Sequence, residues 1–98
     1  MTQLTIETFD ETVKNGKTLI DFWAPWCGPC RMQSPILEQL EKSGVNVKIC
    51  KVNVDEQPEL AKRFGVLSIP TLILMENGTM KDKQVGLMNL DELNEFII

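Results

Sequence analysis

The sequence contains no histidine and no tyrosine, and only three of its 98 residues are cysteine. Without histidine, three cysteines cannot complete the usual four-ligand Cys/His set of a zinc or iron–sulfur site. We therefore expect neither a bound metal nor another cofactor. An odd number of cysteines also argues against a secreted scaffold that is held together by disulfides.

The chain also lacks an excess of basic residues and any long apolar run. Its formal net charge is −4, and no apolar run approaches the ~20 residues that a membrane span requires. We therefore expect neither nucleic acid nor a membrane as a partner. The N-terminal segment Met1–Glu7 has neither the basic nor the apolar part of a secretory signal, which favours a cytoplasmic location.

The most informative feature of the chain is the pair Cys27 and Cys30, which follows an apolar run, Thr18–Ala24. That run is typical of a buried strand, and the apolar spacing after the pair predicts a helix over Met32–Lys42. A Cys-x-x-Cys pair at such a junction has its first thiol at a helix N-terminus, where free N–H groups and the helix dipole favour a thiolate. The sequence therefore predicts thiol–disulfide exchange. Half of a metal site and a purely structural disulfide are the less favoured alternatives.

Strand and helix patterns alternate along the chain without a linker or an internal repeat. They predict three β-α units followed by a β-hairpin and a final helix, typical of a mixed sheet covered on both faces. Asn77-Gly78 suits the hairpin turn, and Asn89 with Glu92 has the spacing of a capping box. We therefore expect a single α/β domain over residues 1–98, with a mixed central sheet flanked by four helices. The predicted elements are strand Leu4–Ile6, helix Glu7–Asn15, strand Thr18–Ala24, helix Met32–Lys42, strand Val47–Val54, helix Glu59–Phe64, strands Thr71–Met75 and Met80–Val85, and a helix that begins at Asn89.

The cysteine pair ends a longer run, Asp21-Phe-Trp-Ala-Pro-Trp-Cys-Gly-Pro-Cys30. Further along the chain stand Pro35, Asn53-Val54-Asp55, Phe64-Gly65, Ile69-Pro70-Thr71, Asn77-Gly78 and Val85-Gly86. In these residues the chain resembles the thioredoxin family over nearly its whole length, and the run is similar to the family's active-site signature. The resemblance implies the thioredoxin fold and a protein-disulfide reductase that acts by dithiol exchange. Such a protein maintains redox homeostasis and donates electrons to reductive enzymes.

The resemblance also implies a role for each cysteine. Cys27 would be the nucleophile that attacks a substrate disulfide, and Cys30, one helical turn further on, would be the resolving thiol. We expect Cys27 to be the more exposed of the two. The residues between them, Gly28-Pro29, tune the redox potential and match the reducing branch of the family. The implied partners are protein disulfides as electron acceptors and a flavoprotein thioredoxin reductase as electron donor, with a monomer as the default state.

Two further reactive groups lie within predicted strands. Asp21 interrupts an apolar run, so we expect it to be buried, which would raise its pKa and let it accept the proton of Cys30. An ion pair with Lys51 on the next strand would explain the same pattern, and the residues alone do not decide between the two. The resemblance favours the proton acceptor, with Lys51 as its electrostatic modulator. Cys50 lies in a predicted central strand and is expected to fill space in the core.

The last candidate site is the segment Ile69-Pro70-Thr71. X-Pro bonds in folded proteins are mostly trans, so the sequence alone predicts a trans bond. The resemblance instead implies a cis-proline that faces the cysteine pair, within a docking surface formed by Trp26, Ile69, Pro70, Val85 and Gly86. Ordinary packing is the alternative for these side chains. Leu67 replaces a residue that is often basic in the family, which makes the surface more apolar. A binding subunit that docks a partner through this surface without turnover is therefore the alternative function.

Overall fold

A five-stranded mixed sheet forms the centre of the molecule. A computed structural model describes all of residues 1–98. The strands are β1 (Thr2–Gln3), β2 (Lys17–Trp23), β3 (Lys48–Asn53), β4 (Thr71–Glu76) and β5 (Thr79–Val85). The helices are α1 (Phe9–Val13), α2 (Gly28–Lys42), α3 (Pro58–Arg63) and α4 (Leu90–Phe96). None of these helices is long and apolar enough to cross a membrane.

The strand order is β1-β3-β2-β4-β5. Strands β1, β3 and β2 are parallel, whereas β4 is antiparallel to both β2 and β5. The expected mixed sheet with four helices is therefore confirmed. The central strand β2 is apolar along most of its length because helices cover both of its faces.

Alternate residues of the central strands enter two different cores. Ile20 and Phe22 join Cys50 in the core on one face, which also contains residues of α1 and α3. Leu19 and Ile49 enter the other core, which α2 and α4 cover. Because side chains alternate along a strand, Asp21 and Lys51 belong to the face covered by α2.

Three predicted elements have wrong boundaries, for local reasons. The first strand is Thr2–Gln3 rather than Leu4–Ile6, because the pairing with β3 ends where the N–H of Leu4 donates to the Lys51 carbonyl, and the chain then turns toward α1. Helix α1 is Phe9–Val13 rather than Glu7–Asn15; it begins late because a turn in which the Thr8 hydroxyl accepts the N–H of Thr5 precedes it. Helix α2 begins at Gly28 rather than Met32, because Pro29 fits the first helical turn although it adds nothing to an apolar pattern.

The C-terminal half agrees closely with the predicted turns and caps. Asn77 and Gly78 both have positive φ, 50° and 83°, as a tight hairpin turn requires. The Asn89 side chain accepts from the N–H of Glu92, and the Glu92 side chain accepts from the N–H of Asn89. The capping box is therefore confirmed. The other predicted strands and helices agree with the structure to within one residue.

Candidate redox site

Cys27 and Cys30 are joined by a disulfide at the start of α2. Cys27 is the N-cap residue, and Cys30 lies in the first turn of the helix. The backbone N–H of Cys30 points at the Sγ of Cys27, with 3.2 Å between nitrogen and sulfur. This N–H and the positive end of the helix dipole both favour negative charge on that sulfur when the pair is reduced.

The two cysteines are buried to the same degree. Their exposed fractions are 4% for Cys27 and 3% for Cys30, so the expectation that Cys27 is clearly more exposed is wrong. The reason is tertiary: Ile69 and Val54 pack against the pair. The Sγ of Cys27 lies 3.7 Å from the carbonyl oxygen of Ile69.

Asp21 is fully buried beneath α2. Neither of its carboxyl oxygens has a hydrogen-bond partner. Burial raises the pKa of this carboxyl from 3.8 to about 7, and the positive charge of Lys51 opposes part of that rise. A carboxyl of this kind takes up and releases a proton near neutral pH.

Lys51 stands opposite Asp21 in the β2–β3 register but does not form an ion pair with it. Its Nζ instead donates to the hydroxyl of Ser34 at 3.1 Å and lies 4.5 Å from the centroid of the Trp23 ring. Lys51 therefore acts on Asp21 through its electric field and not through a hydrogen bond. No sequence pattern pointed to Ser34, because a serine in a helix is most often solvated.

Several segments next to the cysteine pair carry exposed apolar side chains. Trp26 is 67% exposed, and its indole N–H donates to Asp55 at 2.9 Å, which fixes the orientation of the ring. Leu67 is 96% exposed and lies two residues before Ile69. Met32 on α2 is also exposed, as are Val85 and Leu87 on either side of Gly86. Sequence reasoning did not identify Met32 and Leu87 as surface residues, because an apolar pattern does not distinguish an exposed apolar residue from one in the core.

The segment that contains Pro70 contacts both the cysteine pair and the residue that follows β5. The Ile69–Pro70 bond is cis, which agrees with the resemblance and not with the sequence-based default. The buried Pro70 has a carbonyl oxygen that accepts from the N–H of Gly86 at 2.8 Å. Gly86 has a φ of +100°, a conformation that favours glycine.

The site is a surface and not an enclosed pocket. A cleft of about 850 Å³ is lined by other residues, namely Asn15, Gly16, Lys17, Val45, Asn46, Val47, Lys48, Glu76, Asn94, Ile97 and Ile98. No group of three or more His, Cys, Asp or Glu side chains is arranged to hold a metal ion. The chemistry available at the site is therefore that of two thiols, one buried carboxyl and the backbone around them.

Comparison with known proteins agrees with this geometry. The family model described as Thioredoxin matches residues 1–98. A thioredoxin of Listeria monocytogenes is 45% identical over 96 residues, which cover 97% of this chain and 93% of that protein. A thioredoxin of Bacillus subtilis is 43% identical over 94 residues, which cover 95% and 90% of the two chains.

The solved structures lead to the same conclusion. Oxidised mitochondrial thioredoxin 3 from Saccharomyces cerevisiae has a TM-score of 0.91 and 38% identity, with 99% of this chain and 92% of that chain covered. The Cys27–Cys30 disulfide occupies the active-site position, as expected for a protein-disulfide oxidoreductase that works by dithiol exchange. The chain belongs to the thioredoxin family.

Proposed function

We propose that the protein reduces disulfides in other proteins, with Cys27 as the nucleophile and Cys30 as the resolving thiol. The observation that supports these roles most strongly is the N–H of Cys30 that points at the Sγ of Cys27. It stabilises a thiolate on Cys27, and the thiolate is the form that attacks a disulfide. Cys30 lies within the helical turn and has no comparable N–H at its own sulfur.

The reaction has two exchanges. The Cys27 thiolate attacks one sulfur of the substrate disulfide, which forms a mixed disulfide and releases the other sulfur as a thiolate. Cys30 then gives up its proton and attacks the Sγ of Cys27. This step forms the Cys27–Cys30 disulfide and releases the second substrate thiolate. Two electrons pass from the dithiol to the substrate, and the released thiolates take protons from water according to their pKa.

Asp21 is the proposed acceptor of the Cys30 proton. Its pKa of about 7 leaves about half of the carboxyl ionised at neutral pH, which suits a general base there. Lys51 modulates this step, since its positive charge lowers the pKa of Asp21 without a direct bond. Ser34 and Trp23 hold the Lys51 ammonium in its present position.

The residues between the cysteines support reduction as the favoured direction. Gly28 and Pro29 are exposed and bring no charged or hydrogen-bonding side chain near Cys27. A thiolate stabilised mainly by the helix N-terminus makes the reduced form less favourable than one that also faces a cationic side chain. A less stable dithiol is a better reductant.

Substrates dock as extended polypeptide on the surface beside the pair. The proposed docking residues are Trp26, Ile69, Pro70, Val85 and Gly86. The exposure of Trp26 and Val85 supports this role, because exposed apolar residues that together form a patch mark an interaction surface. The fixed Trp26 ring loses little conformational freedom on contact with a partner.

The proposal also covers the electron donor, the oligomeric state and the location of the protein. A flavoprotein thioredoxin reductase returns the two electrons, and residues 1–98 act as a single domain and as a monomer. The protein works in the cytoplasm, because a reductase needs a compartment in which thiols stay reduced.

The first test is the equilibrium potential of the Cys27–Cys30 couple against a dithiol buffer. The fluorescence of Trp23 and Trp26, which both precede the pair in the chain, reports the redox state. We expect a potential more negative than about −250 mV, near or below the cytosolic glutathione poise. A potential near that of the isomerases would mean that the protein donates or shuffles disulfides.

The second test separates the roles of the cysteines. Cys30→Ser should accumulate a covalent adduct with a protein disulfide, whereas the matched Cys27→Ser should form none. Adducts through Cys30 would reverse the assignment.

The exposed surface, above all Leu67, also supports a docking subunit as a second function. A Cys27→Ser, Cys30→Ser double variant would retain such binding and lose reductase activity.

A further inference from the structure

A buried glutamine joins the redox helix to the segment that follows β5. Gln33 lies on α2 three residues after Cys30, and its side chain is fully buried. Its Oε1 accepts from the backbone N–H of Met88 at 2.8 Å, and its Nε2 donates to the Met88 carbonyl at 3.0 Å. These are the only hydrogen bonds between α2 and residues 86–89. We call this pair of bonds the Gln33–Met88 clamp.

The clamp requires a carboxamide. A glutamine side chain offers a donor and an acceptor side by side, so that it pairs with both backbone groups of one residue at once. An apolar side chain of the same length would leave the N–H and C=O of the buried Met88 without partners. Each buried group left unpaired costs more than an ordinary hydrogen bond contributes. Removal of the amide therefore favours movement of residues 86–88 toward water.

The clamp also closes a ring of contacts around the cysteine pair. The carbonyl oxygen of Ile69 lies beside the Sγ of Cys27, and the next carbonyl, that of Pro70, accepts the N–H of Gly86. Residues 86 and 87 are thus held at both ends, at one by Pro70 and at the other by the clamp. In order, the ring contains Cys27, Ile69, Pro70, Gly86, Met88, Gln33 and Cys30.

We propose that Gln33 is a positioning residue for substrate docking, which holds residues 86–88 in place beside the disulfide through the Gln33–Met88 clamp. The inference rests on the proposed function, because it takes Val85 and Gly86 as docking residues for an extended polypeptide that carries a disulfide. Gln33 itself touches neither the substrate nor the reacting sulfurs. Its effect is on how often the docking segment has the geometry that a polypeptide recognises.

The test compares Gln33→Met with Leu40→Ala. Methionine has nearly the length and volume of glutamine but cannot form the clamp. Leu40→Ala is the matched control, because it weakens the same core from the far end of α2 and leaves the clamp intact. Both variants and the unmodified protein are assayed with insulin as a protein disulfide and with 5,5′-dithiobis(2-nitrobenzoate) as a small disulfide. Dithiothreitol regenerates the dithiol in the insulin assay.

For Gln33→Met we expect the KM for insulin to rise about tenfold. This rise is expected if residues 86–88 have the docking geometry only about a tenth of the time. The kcat for insulin and the rate with the small disulfide should change less than about twofold, because the cysteines and Asp21 are unaltered. Amide hydrogen exchange at Met88 should be faster in Gln33→Met than in Leu40→Ala, since only the former removes the acceptor of that N–H.

An unchanged KM for insulin in Gln33→Met overturns the proposal. So does an equal rise of KM in Leu40→Ala, because Gln33 would then contribute only to stability. Unchanged exchange at Met88 would show that the clamp does not hold the segment. Failure of the proposed function is distinguishable from all of these, because the unmodified protein would then reduce neither insulin nor the small disulfide.

Discussion

The buried Asp21 makes the stability of the fold depend on pH in a way that a single substitution can isolate. Its folded-state pKa is about 7 against an ordinary value of 3.8, so the folded protein binds its proton more tightly than the unfolded chain. The stability that the protonated carboxyl preserves is therefore fully present below about pH 4 and is lost as the pH rises through about 7. At 1.36 kcal/mol per pKa unit, the loss amounts to about 4 kcal/mol.

The assay is denaturant unfolding of the oxidised protein and of oxidised Asp21→Asn at several values between pH 4 and pH 8. The asparagine cannot ionise, so the free energy of unfolding of the variant minus that of the unmodified protein should increase by about 4 kcal/mol over this range. Most of the increase should appear before pH 7, because the slope is steepest between the two pKa values. Subtraction of the two curves removes the titration of every other group.

Asp10→Asn is the matched control. Asp10 is exposed, and hydrogen bonds from Arg63 together with its charge lower the pKa of this carboxyl. The stability that it contributes is present above its ordinary pKa and is lost only as the pH falls below it. The control difference should therefore be flat from pH 4 to pH 8. Parallel curves for Asp21→Asn as well would refute the reasoning, since Asp21 would then have a partner in solution that stabilises its charge.

Three other predictions concern single residues. Lys51→Met should raise the pKa of Asp21 further, because it removes the positive charge that lowers it; a fall of that pKa in a carboxyl NMR titration would contradict the electrostatic role. Asn89→Ala should lower the free energy of unfolding by about 1 kcal/mol, through loss of the helix cap, with no change in the redox potential. Cys50 should resist a bulky maleimide in the native protein, because it is buried and burial raises the pKa of its thiol. Labelling of Cys50 at the rate of an exposed thiol would show that the core opens there.

The sequence could predict those parts of the site that depend on neighbouring residues. Gly28 and Pro29 between the cysteines, the strand before them and the helix after them are encoded within one continuous run. A helix N-terminus after the strand follows from that run without any tertiary contact, although the apolar pattern alone put its first residue at Met32 rather than at Gly28. The same holds for the hairpin turn at Asn77-Gly78 and for the cap at Asn89, where the needed conformation or side chain is present locally.

The sequence could not predict how distant segments meet. Equal burial of the two cysteines depends on Ile69, which is 42 residues from Cys27 in the chain. The partner of Lys51 is Ser34 and not Asp21, although Asp21 and Lys51 are register partners on neighbouring strands. The cis form of the Ile69–Pro70 peptide bond was predicted by the family resemblance and not by the residues themselves.

The sequence by itself therefore determined the order of strands and helices, the α/β class and the reactive pair with its thiolate-stabilising position. These properties arise from periodicity, turn residues and capping, which act over a few residues. Only the tertiary structure decided which groups surround the pair: a carboxyl left without a hydrogen bond, a lysine held away from it, and Gln33 bound to Met88. The physical reason is that a buried polar group finds its partner far away in the chain, as Gln33 does in Met88 55 residues later, and no local pattern records that pairing.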